Sequence, residues 1–297
     1  MVTTVTDEQS AARELVGDWA RKLGPGAIGA VREVEQGKAD AWRPVFASLA
    51  ELGLFGVAVA EDQGGAGGSI EDLCAMVEEA AKALVPGPVA TTALATVVLC
   101  ETGSSSELLG ALASGERFAG LALDADVRFD QETSRASGTV PWVLGAAPGG
   151  VLLLPADGNW VLVDTADDGV SVEPLQPVDF SRPLARVVLT AAEATSLGEQ
   201  PVANLAATVL AAEAAGVTRW ALDTAVAYAK VREQFGKPIG SFQAIKHLCG
   251  EMLCRAEQAE VAAADAARAA GDSDADQFAI AAAVAASICI ATAKANV

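Results

Sequence analysis

Three polar side chains, Arg232, Gln234 and Gln243, lie close together in the sequence around a glycine and a proline. A guanidinium group donates two parallel hydrogen bonds to a pair of phosphate oxygens, and amide side chains add further donors. This spacing therefore suits a site for a phosphate or a pyrophosphate. The alternative is a helical hairpin in which the arginine is only solvated, because a single arginine beside a turn is common. The residues alone leave both interpretations open.

Two predicted helices position these side chains. Apolar residues recur every three or four positions from about Val209, which predicts a helix that ends near Phe235. Gly236 suits the left-handed position that follows a helix, and Pro238 cannot continue one. A second long helix is expected to begin at Phe242. The polar side chains would then surround a tight turn between two helices.

Other patterns that could carry chemistry are weak. The glycine-rich run 61–72 precedes a helix, but neither its glycine spacing nor its first helical residues fit a Walker or dinucleotide loop. His247 is the only histidine, which excludes histidine-based metal clusters, and we interpret it as a helix-surface or packing residue. The five cysteines are scattered without zinc-like spacing, so no metal site is expected.

Composition limits the class of protein and its partners. The 297 residues exceed one typical domain, and the alanine-rich chain favours helices. The formal net charge of −19 argues against nucleic acid or an anionic membrane surface as a partner, but not against an anionic cofactor. No run approaches the roughly 18 uncharged apolar residues of a membrane span. An odd cysteine count without a signal peptide indicates a cytoplasmic protein with reduced thiols.

The pattern divides the chain into three expected domains in an α+β fold that is mostly α. Residues 1–116 read as a helical domain, residues 117–198 as a small antiparallel β-barrel or sandwich, and residues 199–297 as a helical bundle. The helix expected at 276–295 has apolar residues round its circumference, which predicts that it is largely buried, inside a four-helix bundle or at an interface. The expected strands are residues 118–123, 142–144, 151–154, 160–164 and 185–190.

The stretch from Tyr228 to His247 resembles the signature of the acyl-CoA dehydrogenase family, in which a helix ends in Arg-x-Gln-Phe-Gly-x-x-Ile and continues to Phe-Gln. Residues 52–67 resemble the family's Leu-Gly-Leu-x-Gly-x-x-x-Pro-Glu-x-x-Gly-Gly-x-Gly pattern, with Ala60 in the place of the proline. The resemblance implies that FAD is the cofactor and an acyl-CoA the substrate. It also implies that Arg232 binds the FAD pyrophosphate of a neighbouring subunit. The residues that would line the adenosine and pyrophosphate part of that site are Gln234, Phe235, Ile239 and Gln243.

The β-domain departs from the family pattern. The family's Thr-Glu-Pro-x-x-Gly-Ser-Asp motif, which holds the flavin and the acyl thioester, is missing from residues 121–128. Trp142 is retained and is expected to contact the cofactor. Leu144 replaces the Ser or Thr whose hydroxyl would face the flavin ring, and a leucine cannot donate that hydrogen bond. We therefore expect that this domain has kept its architecture and lost its own isoalloxazine site.

The general base of the family's reaction also has no clear counterpart. Dehydrogenation at the α and β carbons needs a glutamate whose pKa an apolar pocket can raise. The family places it either beyond the last helix, in a region that this chain lacks, or at a position near Ala206, which carries no acid. Glu213, about two turns further along the same helix, is the only nearby carboxylate and therefore the only candidate for the base. The alternative is that Glu213 has a structural role.

These observations give one leading hypothesis and two alternatives. The chain is expected to be the degenerate half or subunit of an FAD-dependent acyl-CoA dehydrogenase. It resembles actinobacterial members that act in pairs or fusions on sterol side-chain CoA thioesters. A homologous partner would supply the base, and an electron-transfer flavoprotein-like acceptor would take the electrons. The alternatives are a complete homo-oligomeric dehydrogenase, seen here as a fragment with a truncated C-terminus, and a non-catalytic interaction subunit.

Overall fold

The structure is a computed structural model and describes residues 6–24 and 26–297. It is mostly helical with a central β-sheet, which confirms the predicted α+β class. The helices are α1 (Asp7–Leu23), α2 (Gly26–Glu35), α3 (Arg43–Ala50), α4 (Ile70–Lys82), α5 (Val89–Thr102), α6 (Ser106–Ala113), α7 (Val202–Val231), α8 (Gln243–Gly271) and α9 (Ala275–Asn296). The strands are β1 (Ala119–Leu121), β2 (Asp126–Asp130), β3 (Arg135–Leu144), β4 (Val151–Ala156), β5 (Asn159–Asp164), β6 (Val170–Pro174), β7 (Leu184–Gly198), β8 (Glu233–Gln234) and β9 (Lys237–Pro238).

The chain forms two compact units. The first contains the segment up to Ala20, Ile70–Leu84 and Ala207–Val297, so it is entirely helical apart from the short β8–β9 hairpin. The second contains Arg21–Ser69 and Val85–Ala206, which carry the central sheet and several helices. Helices α1 and α7 each cross from one unit to the other in the sequence.

Small residues bring the helices of the first unit close together. Helix α8 packs against both α4 and α9, and the side chains that it buries are alanines. Gly216 of α7 lies against α4, where an added β-carbon would be 2.2 Å from the carbonyl oxygen of Glu78. Helices α7 and α4 therefore approach more closely than any side chain at position 216 would allow.

Helix α9 has two apolar faces, and this unit covers only one of them. Phe278, Ala282 and Cys289 are buried, whereas Ile280 is 60% exposed and Ile290 is 57% exposed. The chain itself therefore buries one face of this helix, and burial of the other face at an interface stays a prediction. Apolar residues round the circumference do not reveal which face the same chain covers.

Two helices are long and apolar enough to cross a membrane by length and composition alone. The most apolar window has a mean hydropathy of 1.2 in α7 and 1.9 in α9. The expectation that no run approaches a membrane span is wrong by this measure, since residues 277–293 carry no charged side chain. The signal is weak, because core helices of soluble proteins pass the same test and 61% of the α7 window is buried.

An aromatic cluster and a buried helix form the helical core of the second unit. The ring of Trp42 meets those of Phe46 and Phe118 edge to face, with centroids 5.5 Å and 5.2 Å away. Most side chains of α5 are buried on every side, which explains why its sequence has no polar face.

The sheet of the second unit closes on itself. Five strands pair in a ring in the order β3, β1, β4, β5 and β7, and the pairing of β3 with β7 closes it. Strand β2 pairs with β3 outside the ring, and β6 pairs with β7. All five predicted strands lie within this ring. The sequence missed β2 and β6, whose charged residues and short length weaken the alternating pattern. One pair, β1 with β4, is parallel, whereas an antiparallel domain was predicted.

The glycine-rich run has a structural role. The segment that follows Gly53 forms a 3-10 helix at Leu54–Gly56. The glycines then fold back onto it: the amide of Gly67 donates to the carbonyl of Val59, and that of Gly68 donates to Val57. A β-carbon at Gly65 would lie 2.2 Å from the carbonyl oxygen of Val59, so glycine is required by the close backbone approach.

Candidate cofactor-binding site

Of the three predicted phosphate-binding residues, Gln234 lies on a short β-hairpin, Arg232 directly precedes that hairpin, and Gln243 is the first residue of α8. Helix α7 ends at Val231, four residues before the predicted end at Phe235. Phe235 and Gly236 both adopt left-handed conformations, with φ of 52° and 75°. Positive φ at both central residues is the signature of the tight type I′ hairpin turn, which joins β8 to β9. The sequence suggested a glycine cap after a helix because both structures require a glycine at position 236.

The register of the hairpin brings four side chains to one face. Gln234 pairs with Lys237, and the amide of Ile239 donates to the carbonyl of Arg232 at 2.8 Å. Because side chains alternate along a strand and paired residues share a face, Arg232, Gln234, Lys237 and Ile239 project together. We call these four residues the hairpin face. Glu233, paired with Pro238, projects to the opposite side.

The hairpin face is exposed and cationic. Arg232, Gln234 and Lys237 are exposed, and Ile239 is half-buried. Within the described part of the chain, the Arg232 guanidinium forms no ion pair or side-chain hydrogen bond. An unpaired guanidinium on a chain with a net charge of −19 is open to an anionic ligand, because the surrounding acidic side chains have not neutralised it.

Aromatic contacts and a glycine hold the hairpin in place. Phe235 is 90% exposed, and its ring contacts that of Phe242 edge to face at 6.0 Å. A β-carbon at Gly240 would lie 2.9 Å from the carbonyl oxygen of Ala229, so the returning strand packs directly on the last turn of α7. Gln243 begins α8 and is exposed, with its side-chain nitrogen 3.4 Å from a ring nitrogen of His247. The expected FAD contacts of the first unit therefore surround one exposed surface.

The remaining expected contact, Trp142, lies in the second unit on β3 and is 65% exposed. Leu144, two residues later, is half-buried and pairs with Leu121 of β1 and Leu184 of β7. This apolar pairing offers no hydroxyl group at the position where the family pattern has one. The strand end around Trp142 thus keeps an exposed aromatic ring without the polar partner.

The candidate base is not isolated in an apolar pocket. Glu213 is half-buried on α7 and already interacts with another group. Ala206, at the expected position of the family's base, is fully buried. Neither position presents a free carboxylate.

The sequence interpretation missed the most buried carboxylate of the first unit. Glu78 of α4 is 8% exposed and accepts a hydrogen bond of 2.8 Å from the Arg13 guanidinium. Burial raises the pKa of the Glu78 carboxyl, and Arg13 opposes that shift. The pair borders a cavity of about 60 Å³ that is otherwise lined largely by alanines. Its ion pair assigns Glu78 a structural role, and only the structure could reveal it, since the sequence places it among several glutamates of one helix.

Two family models match most of the chain. The model for the acyl-CoA dehydrogenase N-terminal domain matches residues 6–116, and that for the C-terminal domain matches residues 201–295. Acyl-CoA dehydrogenase FadE34 of Mycobacterium tuberculosis is 72% identical over 305 residues, which cover 100% of this chain and 42% of FadE34. Acyl-CoA dehydrogenase IpdE2 of the same organism is 33% identical over 270 residues, which cover 90% of this chain and 77% of IpdE2.

A solved structure agrees with these relatives. A variant of the Tcur3481-Tcur3483 steroid ACAD is 28% identical and superposes with a TM-score of 0.80, covering 98% of this chain and 86% of that chain. The chain therefore spans nearly all of the matched fold, but it spans less than half of the length of FadE34.

Proposed function

The chain belongs to the acyl-CoA dehydrogenase family, and from this premise we propose that it is the degenerate half or subunit of an FAD-dependent dehydrogenase of acyl-CoA thioesters. In this proposal the chain completes an FAD site that a homologous partner chain, or a fused second half, holds for the most part. FAD is the cofactor of this family, and when bound it accepts the hydride that leaves the β carbon of the acyl group. The complete assembly would then be an oxidoreductase that acts on a CH–CH bond.

The hairpin face is the observation that carries the proposal. Arg232 has a free guanidinium, which matches the paired oxygens of a pyrophosphate, and Gln234 projects beside it. Phe235, Ile239 and Gln243 add an exposed aromatic ring, an aliphatic contact and an amide around the same surface. These donors suit the adenosine and pyrophosphate part of FAD, and their exposure suits a cofactor held by another subunit.

The second unit supports the proposal that this chain is the degenerate partner. Trp142 offers an exposed ring, but Leu144 provides no hydroxyl donor for the flavin ring, and residues 121–128 lack the family's polar motif. On this account the barrel keeps its fold through the buried ring of strands, while its own flavin-ring contacts have been lost.

The base would come from the partner. Glu213 is the candidate within this chain, yet it is half-buried and already interacts with another group. A base must be free to take the α proton and to change its charge as it does so. We therefore assign proton abstraction to a carboxylate of the homologous chain and a structural role to Glu213.

The wider organisation is also part of the proposal. We propose domains at residues 1–116, 117–198 and 199–297, a cytoplasmic location, and an electron-transfer flavoprotein-like acceptor. A sterol side-chain CoA thioester is the proposed substrate class, because the similar solved structure is named as a steroid ACAD with two components. The unmatched length of FadE34 leaves room for a second half in that relative.

Replacement of Arg232 by alanine tests the proposed role. In the native assembly, we expect Arg232→Ala to lower FAD affinity by about 1.5–3 kcal/mol, roughly 10- to 150-fold, since a charge-assisted contact is lost. The measurement is bound flavin after dialysis, with Arg32→Ala on the exposed side of α2 as the control for charge. Wild-type flavin occupancy in Arg232→Ala would favour the alternative of a non-catalytic interaction subunit.

A further inference from the structure

The hairpin face contains one cation that neither the family pattern nor the sequence interpretation assigned. Lys237 pairs with Gln234 across the turn and therefore projects on the same side as Arg232. Its ammonium nitrogen lies 4.5 Å from the centre of the Phe242 ring. Within the described residues Lys237 forms no ion pair with a carboxylate.

We propose that Lys237 is a second phosphate-binding residue, which acts with Arg232 on the pyrophosphate of the bound nucleotide. This inference rests on the proposed function, because it assigns a further contact at the same surface. A pyrophosphate carries more than one negative charge, so a single guanidinium neutralises only part of it. A lysine provides a compact point charge with three rotatable donors, which complements the planar fork of Arg232.

The contact with Phe242 gives this lysine a defined position. A cation over an aromatic face is held by the ring quadrupole, so the flexible lysine stem loses less freedom when it meets an anion. Glu233, the acidic residue of the hairpin, faces the opposite side and does not neutralise the face. The hairpin thus separates its charges, with both cations on one side.

Two nucleotides of the proposed reaction contain a pyrophosphate, FAD and the CoA moiety of the substrate. Both ligands would present a pyrophosphate to the two cations, and separate binding measurements for FAD and CoA distinguish them. The variants are Lys237→Met, which keeps the aliphatic stem and removes the charge, and Lys237→Arg, which restores a cation. Lys294→Met, on the exposed side of the last turn of α9, is the matched control for loss of one positive charge.

The experiment measures dissociation constants of the native assembly for FAD and for free CoA at several salt concentrations. We expect Lys237→Met to weaken FAD binding by about tenfold and to make its salt dependence shallower, since a screened charge contact is lost. Lys237→Arg should restore both the affinity and the salt dependence, and Lys294→Met should leave them unchanged. A loss for FAD is the expected result, because Arg232 is assigned to the FAD pyrophosphate. A loss for CoA alone would overturn a joint role of Lys237 with Arg232.

Unchanged FAD affinity in Lys237→Met would overturn the inference. An affinity loss that Lys237→Arg does not restore would also overturn it, because the ammonium charge would not be the cause. These outcomes are separable from failure of the proposed function. If Arg232→Ala still lowers FAD affinity while Lys237→Met does not, only the role of Lys237 falls.

Discussion

Phe235 combines an unfavourable backbone with an exposed ring, a pairing that is typical of residues kept for binding. Its φ is 52° and its side chain is 90% exposed, so the edge-to-face contact with Phe242 compensates only part of the backbone strain. A non-glycine residue in the left-handed region costs about 1–2 kcal/mol. The motif identified this residue from the sequence, but its conformation was missed, because a helix end and a type I′ turn use the same glycine.

Replacement of Phe235 by asparagine should separate stability from binding. Asparagine is favoured before glycine in type I′ turns, so we expect Phe235→Asn to raise the free energy of unfolding by up to about 1 kcal/mol. The same change should weaken FAD binding, because the aromatic contact is lost. Chemical denaturation and flavin titration measure the two effects. A variant that is less stable than the wild type would contradict the assignment of strain.

The buried carboxyl of Glu78 should make the first unit sensitive to pH. Burial raises its pKa above the ordinary value of 4.5, so the folded state holds a proton that the unfolded state has released. Stability contributed by this group is therefore present below pH 4.5 and falls as the pH rises through the raised pKa.

Denaturation curves of wild type and Glu78→Gln test this dependence. We expect the stability of the wild type relative to Glu78→Gln to decrease as the pH rises above 4.5, because only the wild type carries the buried titrating group. Glu14→Gln, an exposed carboxylate next to Arg13 on α1, is the control for loss of one negative charge. Parallel stability profiles for wild type and Glu78→Gln would refute the prediction.

At the scale of elements, periodicity predicted the existence of the long helices well. It predicted poorly where these helices end and which structure follows them. Helix α8 begins one residue after its predicted start at Phe242, α9 follows its predicted span closely, and all five predicted strands occur in the barrel ring. The hairpin β8–β9 was not predicted, since two-residue strands have no period to detect. The sequence also could not predict which face of α9 the chain buries, because burial depends on which neighbours the chain brings to each side.

Close packing of α7 on α4 depends on Gly216. In Gly216→Ala the new β-carbon would lie 2.2 Å from the Glu78 carbonyl oxygen, so the two helices must move apart. We expect a loss of about 1–3 kcal/mol in the free energy of unfolding. Thermal or chemical denaturation measures the loss.

The matched control for this change is Gly250→Ala in α8, where nothing lies within 4 Å of the added β-carbon. A glycine in a helix interior costs about 0.5–1 kcal/mol relative to alanine, so this variant should be slightly more stable than the wild type. Equal effects of the two substitutions would mean that helix propensity, and not the contact with α4, explains Gly216.

At the scale of the whole molecule, the chain keeps the architecture of its family, and we propose that its set of functional groups is incomplete. The hairpin face is open and cationic, whereas the barrel offers a leucine at the hydroxyl position, and Glu213 of α7 already interacts with another group. The proposed losses of functional groups could be predicted from the sequence, because each one is a substitution at a position of a family motif. The sequence did not predict that Arg232 and Lys237 project on the same side of the hairpin, because this follows from a strand register that the sequence does not show.

The most direct test of this account is the flavin content and acyl-CoA turnover of the purified chain, measured alone and together with a homologous acyl-CoA dehydrogenase chain. Absorbance near 450 nm reports bound flavin. We predict substoichiometric FAD and no turnover for the chain alone, and stoichiometric FAD with turnover for the pair. Stoichiometric FAD and turnover of an acyl-CoA by the isolated chain would contradict the account.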